Sequence, residues 1–258
     1  MKMTRLLSLA CRLAAPALFG FSLLIAGIGV TAAAAPFEDT MAQRTLACTA
    51  CHGPQGRAAA DGYYPRLAGK PAGYLYNQLL NFREGRRHYG LMTQLIDPLS
   101  NAYLLEIAQH FSNLDLPYPA PISSQAPAAV LRLGQQLVRQ GDASRRLPAC
   151  VQCHGSAMLG VAPNIPGLLG LPRDYISAQL GAWKAGQRKA HLPDCMNTIV
   201  ARLSLNDINA VASWISAQPL PSNTYPAASL PAWQPGIDAL QCGSAPVPPG
   251  MPGLKAQK

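Results

Sequence analysis

Charged residues make up only 13% of the chain, and just 12 of them are acidic. No Lys/Arg cluster interleaved with aromatics occurs, so the usual footprint of a nucleic-acid binder is missing. No convincing run of alternating strand residues appears, which argues against a sheet-dominated fold. A Ser/His/Asp set, a Gly-rich phosphate loop and paired carboxylates are all lacking, so the common hydrolytic and phosphoryl-transfer chemistries are not expected. The two Cys-x-x-Cys pairs stand beside no βαβ pattern, which excludes a thioredoxin-like redox motif. Neither has a second Cys pair close by, and a structural zinc site needs four ligands.

Apolar residues, by contrast, reach 49% of the 258. Part of that excess lies at the start. Lys2, Arg5 and Arg12 form a positive segment, residues 13–31 carry no charge, and Ala32, Ala33, Ala34 and Ala35 follow. This reads as an export signal over residues 1–34, cut between Ala34 and Ala35. The rival reading is an uncleaved anchor, because the apolar stretch is close to the ~20 residues that span a bilayer. Cys11 precedes the apolar run, so it is not a lipid-attachment cysteine. Cleavage would remove three basic residues and no acidic one, lowering the formal charge from +9 to +6. A surplus of that sign suits solubility, or docking to an acidic partner.

The most informative feature is an internal repeat. Cys48-Thr49-Ala50-Cys51-His52-Gly53 recurs as Cys150-Val151-Gln152-Cys153-His154-Gly155. Pro65, Leu67, Gly69 and Pro71 recur as Pro166, Leu168, Gly170 and Pro172, and Tyr74 with Gln78 recurs as Tyr175 with Gln179. Phe82 and Gly85 match Trp183 and Gly186, Met92 matches Met196, and Ser100 matches Ser204. The order is the same in both copies, which predicts two homologous domains over 35–118 and 129–220. Residues 119–128 form a Pro-rich, semi-rigid linker between them. From Pro219 on, the chain holds nine of its 24 prolines, so 221–258 is expected to be an irregular tail.

Each copy is mainly helical by pattern. Ser100 and Ser204 look like N-caps. Tyr103, Ile107 and Phe111 follow the first, and Ile208, Val211, Ala212 and Ile215 the second, at the spacing of a helix with one buried face. Residues 131–138 are a further amphipathic candidate. Each copy is small for a self-sufficient core, so a large apolar cofactor is expected to support it.

The Cys-x-x-Cys-His motif names that cofactor. On a helix, residues three and four apart share a face. Cys48 and Cys51 therefore reach the two vinyl groups of one haem, and His52 binds its iron; Cys150, Cys153 and His154 repeat the arrangement. Met92 and Met196, in the loop before each last helix, are the candidate sixth ligands. Met158 lies only four residues past His154 and is a poor candidate for the opposite haem face. His88, His191 and Cys195 compete. A thioether fills the coordination sphere and raises the potential, which suits electron exchange without bond making. A carbonyl of Pro65 or Pro166 is placed to accept the Nδ1–H of the proximal histidine, or else the proline only turns a loop. Arg66, Tyr63, Tyr64, Arg83 and Lys184 are candidate contacts for haem propionates, with an ordinary surface residue the leading reading of each.

With these motifs in place, residues 37–220 resemble the cytochrome c4 family of periplasmic two-haem cytochromes. The resemblance rests on the paired Cys-x-x-Cys-His motifs, the Pro-x-Leu-x-Gly-x-Pro segments at Pro65 and Pro166, the Tyr-x-x-x-Gln-Leu helices, and Met92 and Met196. It implies an all-α chain of two tandem cytochrome c domains related by approximate twofold symmetry, each wrapped around one covalent haem c. It favours Pro65 and Pro166 as acceptors for the proximal histidines. It also implies a periplasmic carrier, free or peripherally membrane-attached, between a quinol–cytochrome c reductase or dehydrogenase and a terminal oxidase. The alternatives are the electron-accepting subunit of a dehydrogenase complex, such as a flavoprotein sulfide dehydrogenase, or a haem enzyme of thiosulfate-dehydrogenase type.

The second copy departs from the pattern. It has three extra residues before Met196, including Pro193-Asp194-Cys195, and it is followed by a tail carrying Cys242. Once haem attachment and the signal have claimed the other five cysteines, Cys195 and Cys242 remain. In an oxidising compartment an even pair is expected to form a disulfide, tying the tail to the second Met loop. A haem-ligating Cys195 is the rival reading, and free thiols with a loose tail the other.

Overall fold

The computed structural model describes residues 38–249 apart from 60–61, 122 and 234–236. The export signal expected over 1–34 lies outside the described residues. Ten α-helices occur among them, in two series. The first comprises α1 (Met41–Arg44), α2 (Leu46–His52), α3 (Ala72–Arg83), α4 (Gly90–Ile96) and α5 (Asn101–Ser112). The second comprises α6 (Ala128–Arg139), α7 (Cys150–His154), α8 (Arg173–Lys184), α9 (Cys195–Ala201) and α10 (Leu205–Ser216).

Local chemistry explains the ends of these helices. Pro71 and Pro172 stand at the N-caps of α3 and α8, where a fixed φ suits helix entry. Gly85 and Gly186 follow their C-caps with φ of 74° and 71°, left-handed values that a side chain resists. Ser100 Oγ accepts the Tyr103 N–H at 3.2 Å. Ser204 goes further. Its Oγ accepts the Asp207 N–H at 3.1 Å while Asp207 accepts the Ser204 N–H at 2.8 Å, closing a capping box.

Each series has its own apolar core. In the first, α3 packs on α5, and Tyr76, Leu80, Leu104, Leu105 and Phe111 are buried. In the second, α10 lies between α6 and α8 over Val138, Leu180, Val211, Trp214 and Ile215. At the α6–α10 crossing the backbones touch. A Cβ on Gly134 would sit 2.2 Å from the Ala210 carbonyl oxygen, so no larger residue fits unless a helix moves.

One detail differs from the sequence expectation, and a second goes beyond it. A small antiparallel pair, β1 (Gly160–Val161) with β2 (Ile165–Pro166), sits in the second series. Strands of two residues are too short for alternation to register. The tail is irregular but well anchored. Ala227 pairs with Val161 in a parallel bridge, and Ala245 is buried in the core of the first series. The segment leading into the linker is held as well. The Arg66 guanidinium donates to the carbonyls of Leu116 and Pro117 and lies 3.9 Å from the Tyr118 ring centroid.

The two series meet directly. Lys70 Nζ donates to the Gly167 carbonyl at 3.1 Å, Tyr74 N to Pro163 O at 3.1 Å, and Lys189 N to Arg86 O at 2.7 Å. From Glu38 on, the described residues accordingly form one compact unit.

Candidate functional site

One helix in each series carries the attachment motif. Helix α2 presents Cys48, Cys51 and His52, and α7 presents Cys150, Cys153 and His154. None of the four cysteines is disulfide-bonded. Burial pushes the Cys150 thiol up to about 12 and also raises Cys48 and Cys153, so these are neutral thiols in an apolar setting.

Both histidines are fixed in the same way. His52 Nδ1 donates to the Pro65 carbonyl at 2.8 Å, and His154 Nδ1 to the Pro166 carbonyl at 2.8 Å. That bond assigns the proton to Nδ1 and leaves Nε2 as the ring's lone-pair donor. Burial lowers both pKa values. The carbonyl opposes it, and a nearby cation adds to it: Arg87 beside His52 and Lys70 beside His154. A neutral imidazole, the form that ligates a metal, is favoured at both positions.

All six of these side chains line one cavity of about 1320 Å³ shared by the two series. That exceeds the roughly 300–1,000 Å³ of an ordinary single-ligand pocket. Met92 and Met196 are on its wall, delivered by the first turns of α4 and α9. Met158 is not. It is 1% exposed and packed into the second core. Each half thus offers two thiols, one imidazole oriented by a carbonyl and one thioether around an apolar space, a donor set that fits a covalent haem c.

The competing ligands fare differently. Cys195 is bonded to Cys242, so its sulfur is not a thiolate ligand. His191 Nε2 accepts a hydrogen bond from Arg86 at 3.0 Å, which engages that nitrogen's lone pair. His88 reaches the cavity wall but is exposed.

The residues considered for propionates mostly serve elsewhere. Arg66 is buried against backbone carbonyls and Tyr118, which accounts for its guanidinium. Arg83 donates to the Leu99 carbonyl at 2.8 Å, and Lys184 to the carbonyls ending α9 at 3.5 Å. Neither lines the cavity. Tyr63 and Tyr64 do line it, clustered with Tyr89. Two arginines absent from the sequence reading, Arg87 and Arg188, are buried on the wall. The repeat carried the signal for them, since they stand at its 101-residue offset, as do Gln78 and Gln179.

Comparison with known proteins agrees with this geometry. The family model for cytochrome c matches residues 38–102. The chain is 39% identical to the thiosulfate dehydrogenase electron acceptor of Thiomonas intermedia over 77% of its own length and 91% of that protein. It is 32% identical to cytochrome c4 of Pseudomonas aeruginosa, over 74% and 94%. Its fold matches the crystal structure of reduced cytochrome c4 from Pseudomonas stutzeri with a TM-score of 0.58 and 31% identity, covering 69% of this chain and 96% of that one.

Proposed function

Because the chain belongs to the cytochrome c4 family, and so is a dihaem electron-transfer protein with two covalent haem c groups, we propose that it works in the periplasm. There it passes single electrons from a quinol–cytochrome c reductase or a dehydrogenase to a terminal oxidase or reductase. In this reading His52 with Met92 and His154 with Met196 are the axial pairs, and Cys48, Cys51, Cys150 and Cys153 carry the thioethers. When bound, each haem supplies one-electron exchange between Fe(II) and Fe(III). The protein's part is to hold the ligands still. The Pro65 and Pro166 carbonyls orient the imidazoles, α4 and α9 place the thioethers, and the apolar wall excludes water.

The observation carrying this reading is the pair of His–Pro bonds, both 2.8 Å, with a methionine on the same cavity wall in each half. The test is Met92→Ala and Met196→Ala in separate proteins. Each is expected to remove half of the weak long-wavelength Met–Fe(III) absorption and to lower one haem potential by on the order of 100 mV. Unchanged spectra and potentials in either variant would refute that ligand.

A second reading concerns the donor. The 39% identity to a thiosulfate dehydrogenase electron acceptor favours a thiosulfate dehydrogenase in that role. Rapid mixing with such an enzyme and thiosulfate is then expected to reduce both haems faster than mixing with a quinol–cytochrome c reductase and quinol. The reverse order would return the donor role to the reductase.

A further inference from the structure

In the first half a pair of phenols joins the two segments that carry the axial candidates. Tyr64 precedes Pro65, whose carbonyl accepts the His52 Nδ1–H at 2.8 Å. A residue before proline is held to extended backbone, so the turn that orients the imidazole also sets Tyr64. The Tyr64 ring meets the His52 ring edge-on, with centroids 5.9 Å apart. Tyr89 is the N-cap residue of α4, and Met92 is the third residue of that helix. The Tyr89 side chain makes no capping bond. Its hydroxyl instead shares a hydrogen bond with the Tyr64 hydroxyl at 2.7 Å, across 25 residues of sequence.

The surroundings hold this pair in place. Tyr63 stands edge-on to both rings, its centroid 4.9 Å from that of Tyr64 and 6.2 Å from that of Tyr89. Tyr64 and Tyr89 are half-buried on the cavity wall that also carries His52 and Met92. Helix α4 is tied to α3 as well, through Thr93 Oγ1 and the Phe82 carbonyl at 3.3 Å, but that bond does not reach the histidine segment.

The second half fastens its methionine segment by other means. At the 101-residue offset Tyr63, Tyr64 and Tyr89 are replaced by Asn164, Ile165 and Ala190, so no phenol is present. There Asp194 accepts from Ala190 N at 2.7 Å and from Trp183 Nε1 at 3.3 Å, and Cys195, next to Met196, is bonded to Cys242.

We propose that Tyr64 and Tyr89 are positioning residues for the first-half axial pair: their hydroxyl bond ties the His52 segment to the start of α4 and so resists displacement of Met92 from the iron. The proposal rests on the reading of His52 and Met92 as that pair. Withdrawing the thioether moves the first turn of α4, and Tyr89 with it. That movement breaks the hydroxyl bond, so the bond adds to the work of displacing the methionine. A competing ligand meets this resistance at the first haem and not at the second.

The experiment is a titration of the oxidised two-haem protein with imidazole, which competes with methionine for Fe(III). The weak long-wavelength Met–Fe(III) absorption reports how much methionine has been displaced, and the haem methyl resonances in NMR tell which haem has reacted. Tyr64→Phe and Tyr89→Phe each keep the ring and remove a hydroxyl. Each is expected to make the first-half haem bind imidazole about fivefold more tightly, the worth of one net hydrogen bond, with the second-half haem unchanged. The double variant is expected to match the single ones, because the same bond is lost in all three. No shift at the first haem, equal shifts at both haems, or single effects that add in the double variant would overturn the tie. Loss of a haem from either variant would overturn it too, since the hydroxyls would then serve assembly of the half and not the hold on Met92. Failure of the axial-pair reading appears separately, as a wild-type protein whose first-half haem lacks the Met–Fe(III) absorption before imidazole is added.

Discussion

The two halves build the same ligand geometry from different amounts of protein. In the first half Cys51 is exposed and His52 only partly buried, while Tyr63, Leu91 and Leu95 on the cavity wall are 62%, 66% and 40% exposed. In the second half His154 is 7% exposed. There the small β pair and the tail stand against the site, and Leu240, Cys242 and Gly243 of the tail reach the cavity wall. Yet each histidine meets its proline carbonyl at 2.8 Å. Ligand orientation is therefore a property of the repeated motif, and covering is a property of what surrounds it.

The largest expected effect tests the covering. Cys242 is bonded to Cys195, next to Met196, across 47 residues of sequence. Gly243 N also donates to the Pro193 carbonyl at 2.9 Å. Cys242→Ser is expected to cost about 4 kcal/mol by the chain-entropy argument. The loss should fall mainly on the second half. In denaturant titration half of the Met–Fe(III) absorption would disappear first, and the other half would follow near its wild-type midpoint. The tail sharpens the test, because beyond the disulfide it crosses to the first half. Asn77 Nδ2 donates to Ser244 Oγ at 3.1 Å, Ala245 N donates to Asn77 Oδ1 at 2.8 Å, and Ala245 is buried. If both halves of the absorption shift together, the tail is a clasp on the whole molecule and the contrast in covering does not govern stability.

These contacts also mark how far the sequence could be read. Patterns within one turn or one helix were legible: Cys-x-x-Cys-His on α2 and α7, the Ser100 and Ser204 caps, and the buried face of α5 and α10. The disulfide partners were legible by elimination, since the other cysteines had work elsewhere. Arg83 and Lys184 left two readings open, because a cation late in a helix looks the same whether it meets a ligand or the carbonyls of a neighbouring segment. Arg87 stands in register in the repeat, but its place in the cavity depends on stacking over Phe82 and on Gln179, 92 residues away, which the repeat does not show. Ala245 was hidden for the same reason, with its partner Asn77 at a distance of 168. Long-range partners leave no periodic trace.

The smallest expected effect contrasts the two last helices under acid. At α5 the cap is Ser100 alone, and the third helical residue is Tyr103. At α10, Asp207 accepts hydrogen bonds from Ser204 N, Ser204 Oγ and Arg145 Nη1 at 2.8, 2.8 and 2.7 Å, with its side chain 7% exposed. Burial pushes the Asp207 carboxyl up, but Arg145 and Ser204 outweigh it and the net shift is downward. Asp142 on the far side of Arg145 is held at about 2 by Ser144 and Arg145, against an ordinary 3.8. Both carboxylates are depressed on folding. Their contribution is therefore complete above the unfolded value near 3.8 and is lost as the pH falls towards the folded values. Asp207→Asn is expected to cost the second half about 2 kcal/mol near neutrality, as for lost bonds to a charged group, and progressively less as the pH falls below 3.8 and the wild-type carboxylate takes up its proton. Denaturant midpoints of wild type and variant should converge as the solution is acidified, with the first half's midpoint showing no such dependence on the substitution. Parallel curves down to about pH 2 would mean that the Asp142–Arg145–Asp207 cluster has no proton linkage to folding, and that acid does not separate the two halves.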